Sequence, residues 1–406
     1  MIRFHIYFLI FNTLLFTASI YAQYSSTARY AHASILIDSK LYFIGGFDSS
    51  GKMKSDFFYL DLSIQFSSND VLKFIQINNN DLTPNAWCNA ATTNNIIYLL
   101  GCFMINDNSS LIYQYSISSN KWSIPSISGT PSPAHRIKNG VSIDHSTGRI
   151  YYFGGEDDAN KLLNDMWILY NINNNQLSWQ QLTPALQPSC CSSAVLLPDG
   201  YILYIGGRNN DPNNDPMRMN NITRYNTISN TWDFVKTTGV AQFYRLGFSA
   251  VLVPDGRIIV YGGMFPGVQL PSNDLNVLNT TTYEWMIPEV RNKQDTKSFH
   301  TANLYDNYMI VAFGIGTDNT PSSEILLLDI TDITMYKWIP DFIPTSNSSN
   351  GNNENNGKKN VSKIIGAVIG SVVGIVSICL LSFFGYKFYK KRNNKQEISR
   401  NVIDNF

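Results

Sequence analysis

Histidine and cysteine are the residues of this sequence best suited to metal or redox chemistry, and they are few. The chain has 406 residues, with five His and five Cys. His32 and His300 each precede a short apolar run, and as a pair they could coordinate a metal ion. The alternative is that both are hydrogen-bonded core histidines. Since no Ser-His-Asp or paired-carboxylate arrangement stands out, the sequence predicts no catalytic, cofactor or metal site.

Four of the cysteines group into two pairs. Cys88 and Cys102 flank a hairpin whose turn is predicted at 94–95, which places them nearly opposite each other and predicts a disulfide. Cys190 and Cys191 are adjacent, with no further ligands at zinc-site spacing nearby. A vicinal disulfide or two free thiols are favoured over a metal there, with an intermolecular bond or a single core thiol also open.

Two further sets of polar residues are candidates for binding or modification. Asp211 and Asp215, in the segment DPNNDP, lack the fuller ligand spacing of a calcium loop, so a solvated loop is expected. Acceptor sequons for N-glycosylation occur at five positions, of which the last is the least favoured because it lies close to the predicted membrane. They are Asn108, Asn221, Asn279, Asn347 and Asn360.

A repeated pattern provides the elements that must position these residues. Six apolar runs end in paired small residues, as in LYFIGG, IYYFGG and IVYGG, at intervals of 56, 53, 52, 56 and 52 residues. The first glycines are Gly45, Gly101, Gly154, Gly206, Gly262 and Gly314, and the second glycines are Gly46, Gly155, Gly207 and Gly263. Each copy closes on an aromatic residue: Phe74, Trp122, Trp179, Trp232, Trp285 or Trp338.

Each copy is interpreted as four short strands, a to d. Strand b ends at the glycine pair, an alternating run forms strand c, and the aromatic lies on strand d. Copy two carries Cys102 in place of the second glycine, and copy six is interpreted as having an inserted Ile315. Four-stranded units of about 50 residues are typical of a β-propeller. The glycines are expected to permit close backbone approach, and the tryptophans to pack between blades.

The pattern over 29–340 resembles the kelch-repeat family. The resemblance implies an all-β, kelch-type β-propeller over 23–344, and the mean repeat of 53.8 residues divides that span into six blades. Some secreted propellers of this type resemble copper-radical oxidases such as galactose oxidase. That chemistry needs a Tyr-His dipeptide, which does not occur here, and a further C-terminal domain, whereas the segment after the last repeat is interpreted as a stalk and a membrane span. An enzyme of that class is therefore the disfavoured alternative.

The two ends of the chain predict membrane targeting. Residues 1–22 are typical of a cleaved signal peptide. Residues 364–386 hold 23 residues without a charged side chain, enough for a transmembrane α-helix of about 34 Å. An Asn/Ser/Gly-rich stalk over 345–363 precedes it, and a short basic tail over 387–406 is expected to be cytosolic.

The same apolar segment offers a helix-pairing surface. Gly366, Gly370 and Gly374 recur every four residues, so they share one face of a helix and could form a homodimer contact. Glycine is also common in membrane helices that have no partner.

These features predict a non-enzymatic, type I membrane protein at the plasma or a secretory-pathway membrane. Its propeller would face outside or the lumen and would bind a protein or glycan through the loops on one face. The chain carries 30 basic and 30 acidic residues, and 23–344 has a net charge of −7. Without a basic surface, nucleic acid is not an expected partner.

Overall fold

Each sequence repeat folds into a sheet of antiparallel strands that lie side by side in their sequence order. The computed structural model describes residue 24 and residues 26–77, 81–104, 110–128, 131–173, 176–209, 219–240, 245–264 and 275–344. Contacts divide the chain into 1–344 and 345–406. The predicted signal peptide, stalk, membrane helix with its Gly366, Gly370 and Gly374 face, and tail lie outside the described residues.

The first three blades have strands a to d with the following bounds. Blade one consists of Ala33–Ile37, Lys40–Ile44, Phe57–Asp61 and Phe74–Gln76. Blade two consists of Asn89–Thr93, Ile96–Leu100, Ile112–Ser116 and Lys121–Ser123. Blade three consists of Gly140–Asp144, Arg149–Phe153, Met166–Asn173 and Gln176–Leu182, with Ile127–Ser128 added in parallel to strand d.

The last three blades repeat the arrangement. Blade four consists of Ser193–Leu196, Tyr201–Ile205, Asn221–Asn226 and Thr231–Lys236. Blade five consists of Leu246–Leu252, Arg257–Met264, Leu275–Asn279 and Glu284–Met286, with Thr238–Gly239 parallel to strand d. Blade six consists of Thr301–Tyr305, Tyr308–Ala312, Ile325–Asp329 and Met335–Ile339, with Glu289–Arg291 parallel to strand d. The six-bladed all-β prediction is confirmed.

Tight a–b turns fix the register of the inner strands. Asn94 and Asn95 both have positive φ, at 51° and 59°, as a two-residue hairpin turn of the type favoured by strand twist requires. Thr93 pairs with Ile96, so the predicted turn and register in blade two are confirmed. Because strand a begins where strand b ends, the d–a segments and b–c loops share one face of the propeller. The a–b and c–d turns lie on the opposite face.

Six apolar clusters, one at each seam between blades, form the core. Each joins strand residues of two neighbouring blades and contains the strand-d aromatic of one of them. The Trp338 ring, for example, lies 5.0 Å from the Tyr261 ring of blade five. Trp122, Trp179, Trp285 and Trp338 are buried, and Trp232 is half-buried. The predicted packing role of the aromatic residues is confirmed.

The glycine pairs are seam residues as well. Gly154 has a φ of +60°, and a Cβ there would lie 2.2 Å from the Ser189 carbonyl oxygen of the next blade. The Gly155 N–H donates a hydrogen bond to the same oxygen at 2.8 Å. Glycine is therefore required because the backbone of the next blade crosses directly over this corner.

The interpretation of copy six was wrong in its register. Phe313, with a φ of 60°, takes the place of the first glycine, and Gly314 takes the place of the second. The Gly314 N–H donates to the Arg29 carbonyl, as Gly155 does to Ser189, so Ile315 is no insertion. The pattern VAFGIG misled because a phenylalanine in the left-handed region is not expected.

Among the described residues, the main sheets of the first and last blades each take strands a to d from their own repeat. Phe313 packs with Phe43 and Phe74 in the seam between blades six and one. On the outer side, Asp341–Phe342 pairs with Phe66–Ser67 of blade one. The sequence had left this closure open.

Candidate functional site

A ring of left-handed residues surrounds one mouth of the central channel. In every blade, the residue at the entry to strand a has a φ between 53° and 65°. The six residues are Ala31, Trp87, Lys138, Cys191, Gly247 and Phe299. Five of them carry a side chain in a conformation that favours glycine, so the position is imposed by the fold.

Backbone hydrogen bonds connect four of the six pairs of neighbouring positions of this ring, all in the same direction. The Trp87 N–H donates to the Ala31 carbonyl at 2.9 Å, and the Ala31 N–H donates to the Phe299 carbonyl at 2.9 Å. The same bond runs from Cys191 to Lys138 at 2.8 Å and from Phe299 to Gly247 at 2.7 Å. The Ala31–Phe299 bond crosses the seam where the propeller closes.

The ring encloses a cavity of about 510 Å³ that is lined by residues of all six blades. Because the cavity opens where strand a begins, it lies on the face of the b–c loops. Trp87 and Phe299 meet edge to face there, with ring centroids 5.0 Å apart. The Lys138 ammonium lies 5.7 Å from the centre of the Trp87 ring. The mouth therefore offers aromatic surface beside a cation.

Glu156 is the buried charge at the mouth, with 3% of its surface exposed. It follows the glycine pair of blade three and pairs with Ile137 of the d–a segment. Its Oε2 accepts from Lys138 Nζ at 2.8 Å, and its Oε1 accepts from Arg208 Nη2. A buried carboxylate needs such partners to remain charged, so the two half-exposed cations are held in fixed positions.

The two adjacent cysteines complete this cluster. The sulfur atoms of Cys190 and Cys191 are 2.7 Å apart, and Cys190 Sγ donates to Glu156 Oε1 at 3.5 Å. The hydrogen bond to Cys191 and burial raise the pKa of the Cys190 thiol. In the described part of the chain, these two cysteines and Glu156 are the group that could contact a metal ion. Lys138 and Arg208 already neutralise that carboxylate.

His32 and His300 do not join this group. His32 Nε2 lies 2.9 Å from Thr301 Oγ1, and His300 Nε2 lies 2.7 Å from Ser249 Oγ. Burial lowers the pKa of His300 to about 3 and that of His32 well below its usual value, so both are neutral. The interpretation of both as hydrogen-bonded core histidines is confirmed.

The remaining candidate residues have the following placement. Cys88 and Cys102 form the predicted disulfide, with Cα atoms 4.2 Å apart. Asn221 is exposed at the start of strand c in blade four, while the Asn279 side chain accepts the backbone N–H of Thr281 at 2.9 Å. Glycosylation of both stays a prediction. Asn108, Asn347, Asn360, Asp211 and Asp215 lie outside the described residues.

A set of buried cations beneath the mouth was not predicted from the sequence. Arg29, Arg136 and Arg245 each donate through Nη1 to the carbonyl of the first glycine of their own blade, at 3.0, 3.2 and 3.0 Å. Arg29 also pairs with Asp56 at 3.0 Å, and Arg136 Nη2 pairs with Asp165 at 2.9 Å.

Lys297 and Glu324 form the corresponding pair in blade six, at 2.7 Å. The signal in the sequence was an acidic residue at the start of strand c combined with a cation shortly before strand a. These pairs anchor the d–a segments on which the mouth residues stand.

Comparisons with known proteins agree with this architecture. A family model described as the Attractin/LZTR1 beta-propeller matches residues 5–218, and the KLHDC2/KLHL20/DRC7 Kelch-repeats domain matches 192–354. The solved structure of YjhT superposes with a TM-score of 0.60 at 13% identity, covering 77% of this chain and 98% of that one. At that identity it shows the fold alone.

Curated relatives match over part of the chain. Acyl-CoA-binding domain-containing protein 5 of Arabidopsis thaliana is 26% identical, over 52% of this chain and 33% of its own length. Kelch domain-containing protein 3 of Bos taurus is 24% identical, over 57% and 61%. Multiple epidermal growth factor-like domains protein 8 of Mus musculus is 25% identical, over 54% and 8%. The matched region thus spans about a third of the first of these relatives.

Proposed function

The chain belongs to the Attractin/LZTR1 beta-propeller family of kelch-repeat proteins, and on this premise we propose that it binds a protein partner at the channel mouth. A kelch propeller suggests a protein-interaction module. The partner would contact the face that carries the b–c loops.

One observation carries the proposal: the ring combines a constant backbone with side chains that differ from blade to blade. Six equivalent positions share one conformation, and four of them donate a backbone hydrogen bond to the preceding position in the same direction. Their side chains nevertheless range from glycine to tryptophan, lysine and cysteine. The scaffold does not need Trp87, Lys138 or Phe299 at these positions, since Ala31 and Gly247 fill the same place. Aromatic and cationic side chains on a rigid rim are typical of binding surfaces.

Charge supports a partner with an acidic contact surface. Lys138 and Arg208 are each about 30% exposed, with side-chain values of 30% and 31%. Both are held by one buried carboxylate, so the group of three carries a net positive charge at the rim. Trp87 and Phe299 beside it provide apolar area for the centre of an interface. A glycan, the other expected ligand, would use the same rings for stacking.

We propose further that the propeller acts without catalysis on a type I membrane anchor, with its binding face outside the cell or in the lumen. The uncharged segment 364–386 and the leader-like 1–22 support the anchor, and the Cys88–Cys102 disulfide fits an oxidising compartment. In the described residues no helix is long and apolar enough to cross a bilayer. Protection of the propeller from protease in intact vesicles, with a tail epitope digested, tests this orientation.

Site-specific photocrosslinking in cells tests the binding face. A photoreactive amino acid replaces Phe299 at the mouth or, as a matched control, Ile228, which is exposed in the c–d turn of blade four on the opposite face. We expect a discrete crosslinked protein at position 299 and none at 228. The double variant Lys138→Glu, Arg208→Glu should abolish it. Equal crosslinking at both positions, or no effect of charge reversal, would contradict the proposal.

A further inference from the structure

The sulfur atoms of Cys190 and Cys191, which are free thiols in the structure, lie closer than van der Waals contact between them allows. Their separation is 2.7 Å, whereas even the smaller carbon atoms make optimal contact at about 3.5–4.0 Å. Cys190 is buried at 1% exposure, while Cys191 is half-buried and lines the cavity. One sulfur therefore belongs to the interior and the other to the mouth.

We propose that Cys190 and Cys191 form a reversible vicinal disulfide at the channel mouth, made and broken by thiol–disulfide exchange. Their bond would close an eight-membered ring around one peptide group. The partner in the exchange is a small disulfide such as oxidised glutathione or a protein disulfide of the same compartment.

The backbone on both sides holds the two sulfurs together before any bond forms. The Cys191 N–H donates to the Lys138 carbonyl at 2.8 Å, and its φ of 65° is the one shared by the ring. Cys190 pairs with Arg208 in a short antiparallel ladder. A Cβ on Gly207 would lie 2.5 Å from the Cys190 carbonyl oxygen, so this corner has no room to shift.

Accessibility sets the order of the exchange. The Cys191 thiolate attacks the small disulfide and releases one thiolate, which leaves a mixed disulfide on Cys191. Cys190 then loses its proton, for which Glu156 Oε1 is an acceptor at 3.5 Å, and its sulfur attacks Cys191 Sγ. The second small thiolate leaves. Two protein thiols are thus oxidised to one disulfide while the small disulfide is reduced to two thiols, and reduction reverses these steps.

Reversibility follows from strain and exposure. Adjacent Cα atoms are about 3.8 Å apart across a trans peptide, further below the usual disulfide range of about 4.4–6.8 Å than the 4.2 Å of Cys88 and Cys102. Strained or exposed disulfides are the more easily reduced ones. Cys88 and Cys102 are both buried, at 8% and 6% exposure, so their bond provides an internal reference. A compartment that keeps this reference oxidised also supplies the oxidant for Cys190 and Cys191.

A metal is the competing occupant of the same sulfurs. Two thiolates and the Glu156 carboxylate could reach one ion, since their ligand atoms lie within 4.8 Å of one another. The Glu156 carboxylate opposes this, because its two oxygens already accept from Lys138 and Arg208, and three ligands are one fewer than a closed zinc site has. The disulfide removes two protons and adds no charge to the cluster.

The test uses the full-length chain, equilibrated in glutathione buffers from oxidising to reducing, quenched in acid and alkylated in denaturant. Mass spectrometry then measures the fraction of the Cys190–Cys191 peptide that escapes alkylation and is two hydrogens lighter. We expect this fraction to fall from nearly complete to nearly zero while Cys88–Cys102 stays bonded. Full alkylation of both thiols in every buffer that leaves Cys88–Cys102 intact would overturn the proposal.

Single variants separate the proposed bond from its competitors. Cys190→Ser should lose the intramolecular bond completely and accumulate the Cys191–glutathione adduct, whereas Cys191→Ser should lose the bond and leave Cys190 without an adduct. In both, persistence of the Cys88–Cys102 bond reports an intact fold. One zinc ion per chain, lost in either variant, would overturn the disulfide in favour of a metal site. An adduct on wild-type Cys191 without the intramolecular bond would overturn it as well.

Discussion

The seam between blades three and four and the seam that closes the ring use the same backbone contact with different side chains. In both, the second glycine of one blade donates to a carbonyl of the next, from Gly155 to Ser189 and from Gly314 to Arg29, at 2.8 and 2.9 Å. The preceding residue is Gly154 in one seam and Phe313 in the other. The internal seam excludes a side chain where the closing seam buries one completely.

Arg29 follows the same plan as its internal counterpart. Its guanidinium lies 4.6 Å from the centre of the Phe58 ring and 5.6 Å from that of Phe313, in addition to its ion pair with Asp56. Arg136, at the equivalent position before blade three, pairs with Asp165 and lies 5.4 Å from the centre of the Tyr152 ring. The contact that sets the closing seam apart is therefore the buried Phe313 ring, which adds apolar area where the two ends of the ring meet.

The largest expected effect is at the internal seam. Gly154→Ala places a Cβ about 2.2 Å from the Ser189 carbonyl, so it should lower the free energy of unfolding by more than about 4 kcal/mol or prevent folding. Gly51→Ala is the matched control, since Gly51 has a φ of +74° with nothing within 4 Å. It should cost only about 1–2 kcal/mol. Equal costs in urea unfolding would show that the seam contact does not require glycine.

At the closing seam, the fold should be destabilised by introducing a glycine rather than by removing one. Phe313→Gly removes a fully buried ring, worth about 3–5 kcal/mol, and relieves about 1 kcal/mol of left-handed strain. We expect a net loss of about 2–4 kcal/mol in the same assay. Phe234→Gly, at an exposed position on an outer strand, should cost about 1 kcal/mol and serves as the control. A stabilised Phe313→Gly would remove the distinction between the two seams.

The disulfide belongs to the seam between blades one and two, where it supplements an ordinary apolar cluster. The double variant Cys88→Ala, Cys102→Ala opens a loop closed over a sequence separation of 14 residues, so it should lower stability by about 2–3 kcal/mol. Non-reducing peptide mapping should first show the linked pair in the wild-type protein. Finding both thiols alkylated without reduction would be incompatible with the bond.

Acid should weaken the seams on both sides of blade six through two neutral histidines, since His32 contacts Thr301 across the closing seam and His300 contacts Ser249 of blade five. The folded pKa of His300, about 3, lies below the ordinary value, so the unfolded chain binds more protons below pH about 6.5. The stability contributed by the neutral form is complete above that pH and is lost as pH falls toward about 3. Between pH about 7.5 and 5.5, protonation of His300 in the unfolded chain should cost about 1.4 kcal/mol of stability, and His32 should act in the same direction.

His300→Gln isolates this contribution. The acid-induced loss of stability in the variant should be smaller than that of the wild-type protein by about 1.4 kcal/mol over the same range. His145→Gln is the control, because His145 is exposed. An identical pH dependence for wild type and His300→Gln would mean that His300 is not held neutral in the fold.

Much of the fold could be predicted because most repeats have the same residue types at the same structural positions. Glycine is the residue that tolerates a crossing backbone, and tryptophan fills a seam, so Gly154 and Trp179 recur in kind in other copies. The register of copy six was predicted wrongly because Phe313 keeps the left-handed conformation of the first glycine position but is not a glycine. The pairing of Asp341–Phe342 with Phe66–Ser67 joins distant segments, and no local pattern specifies such a contact.

The candidate site was mostly beyond prediction for the opposite reason. The backbone conformation of the ring around the mouth is the same in all six blades, but the side chains differ. Trp87, Lys138 and Phe299 therefore share no signal in the sequence. Glu156 was not singled out from the sequence, because its burial depends on Lys138 and Arg208 from other segments. The cysteine pairs could be identified because two cysteines that are adjacent, or opposite each other in a hairpin, can form only a few kinds of site: a disulfide, free thiols or a metal site.

The outer pairing at the closure has a mechanical consequence. Tyr24 bridges to Phe74, and Asp341–Phe342 pairs with Phe66–Ser67, so the chain enters and leaves the propeller over blade one. Tension applied at Pro344 would first reach the two residue pairs between Asp341–Phe342 and Phe66–Ser67, and it would break these pairs one after the other. Stretching would thus be absorbed at the edge of a single blade, while the channel mouth would keep its shape under load.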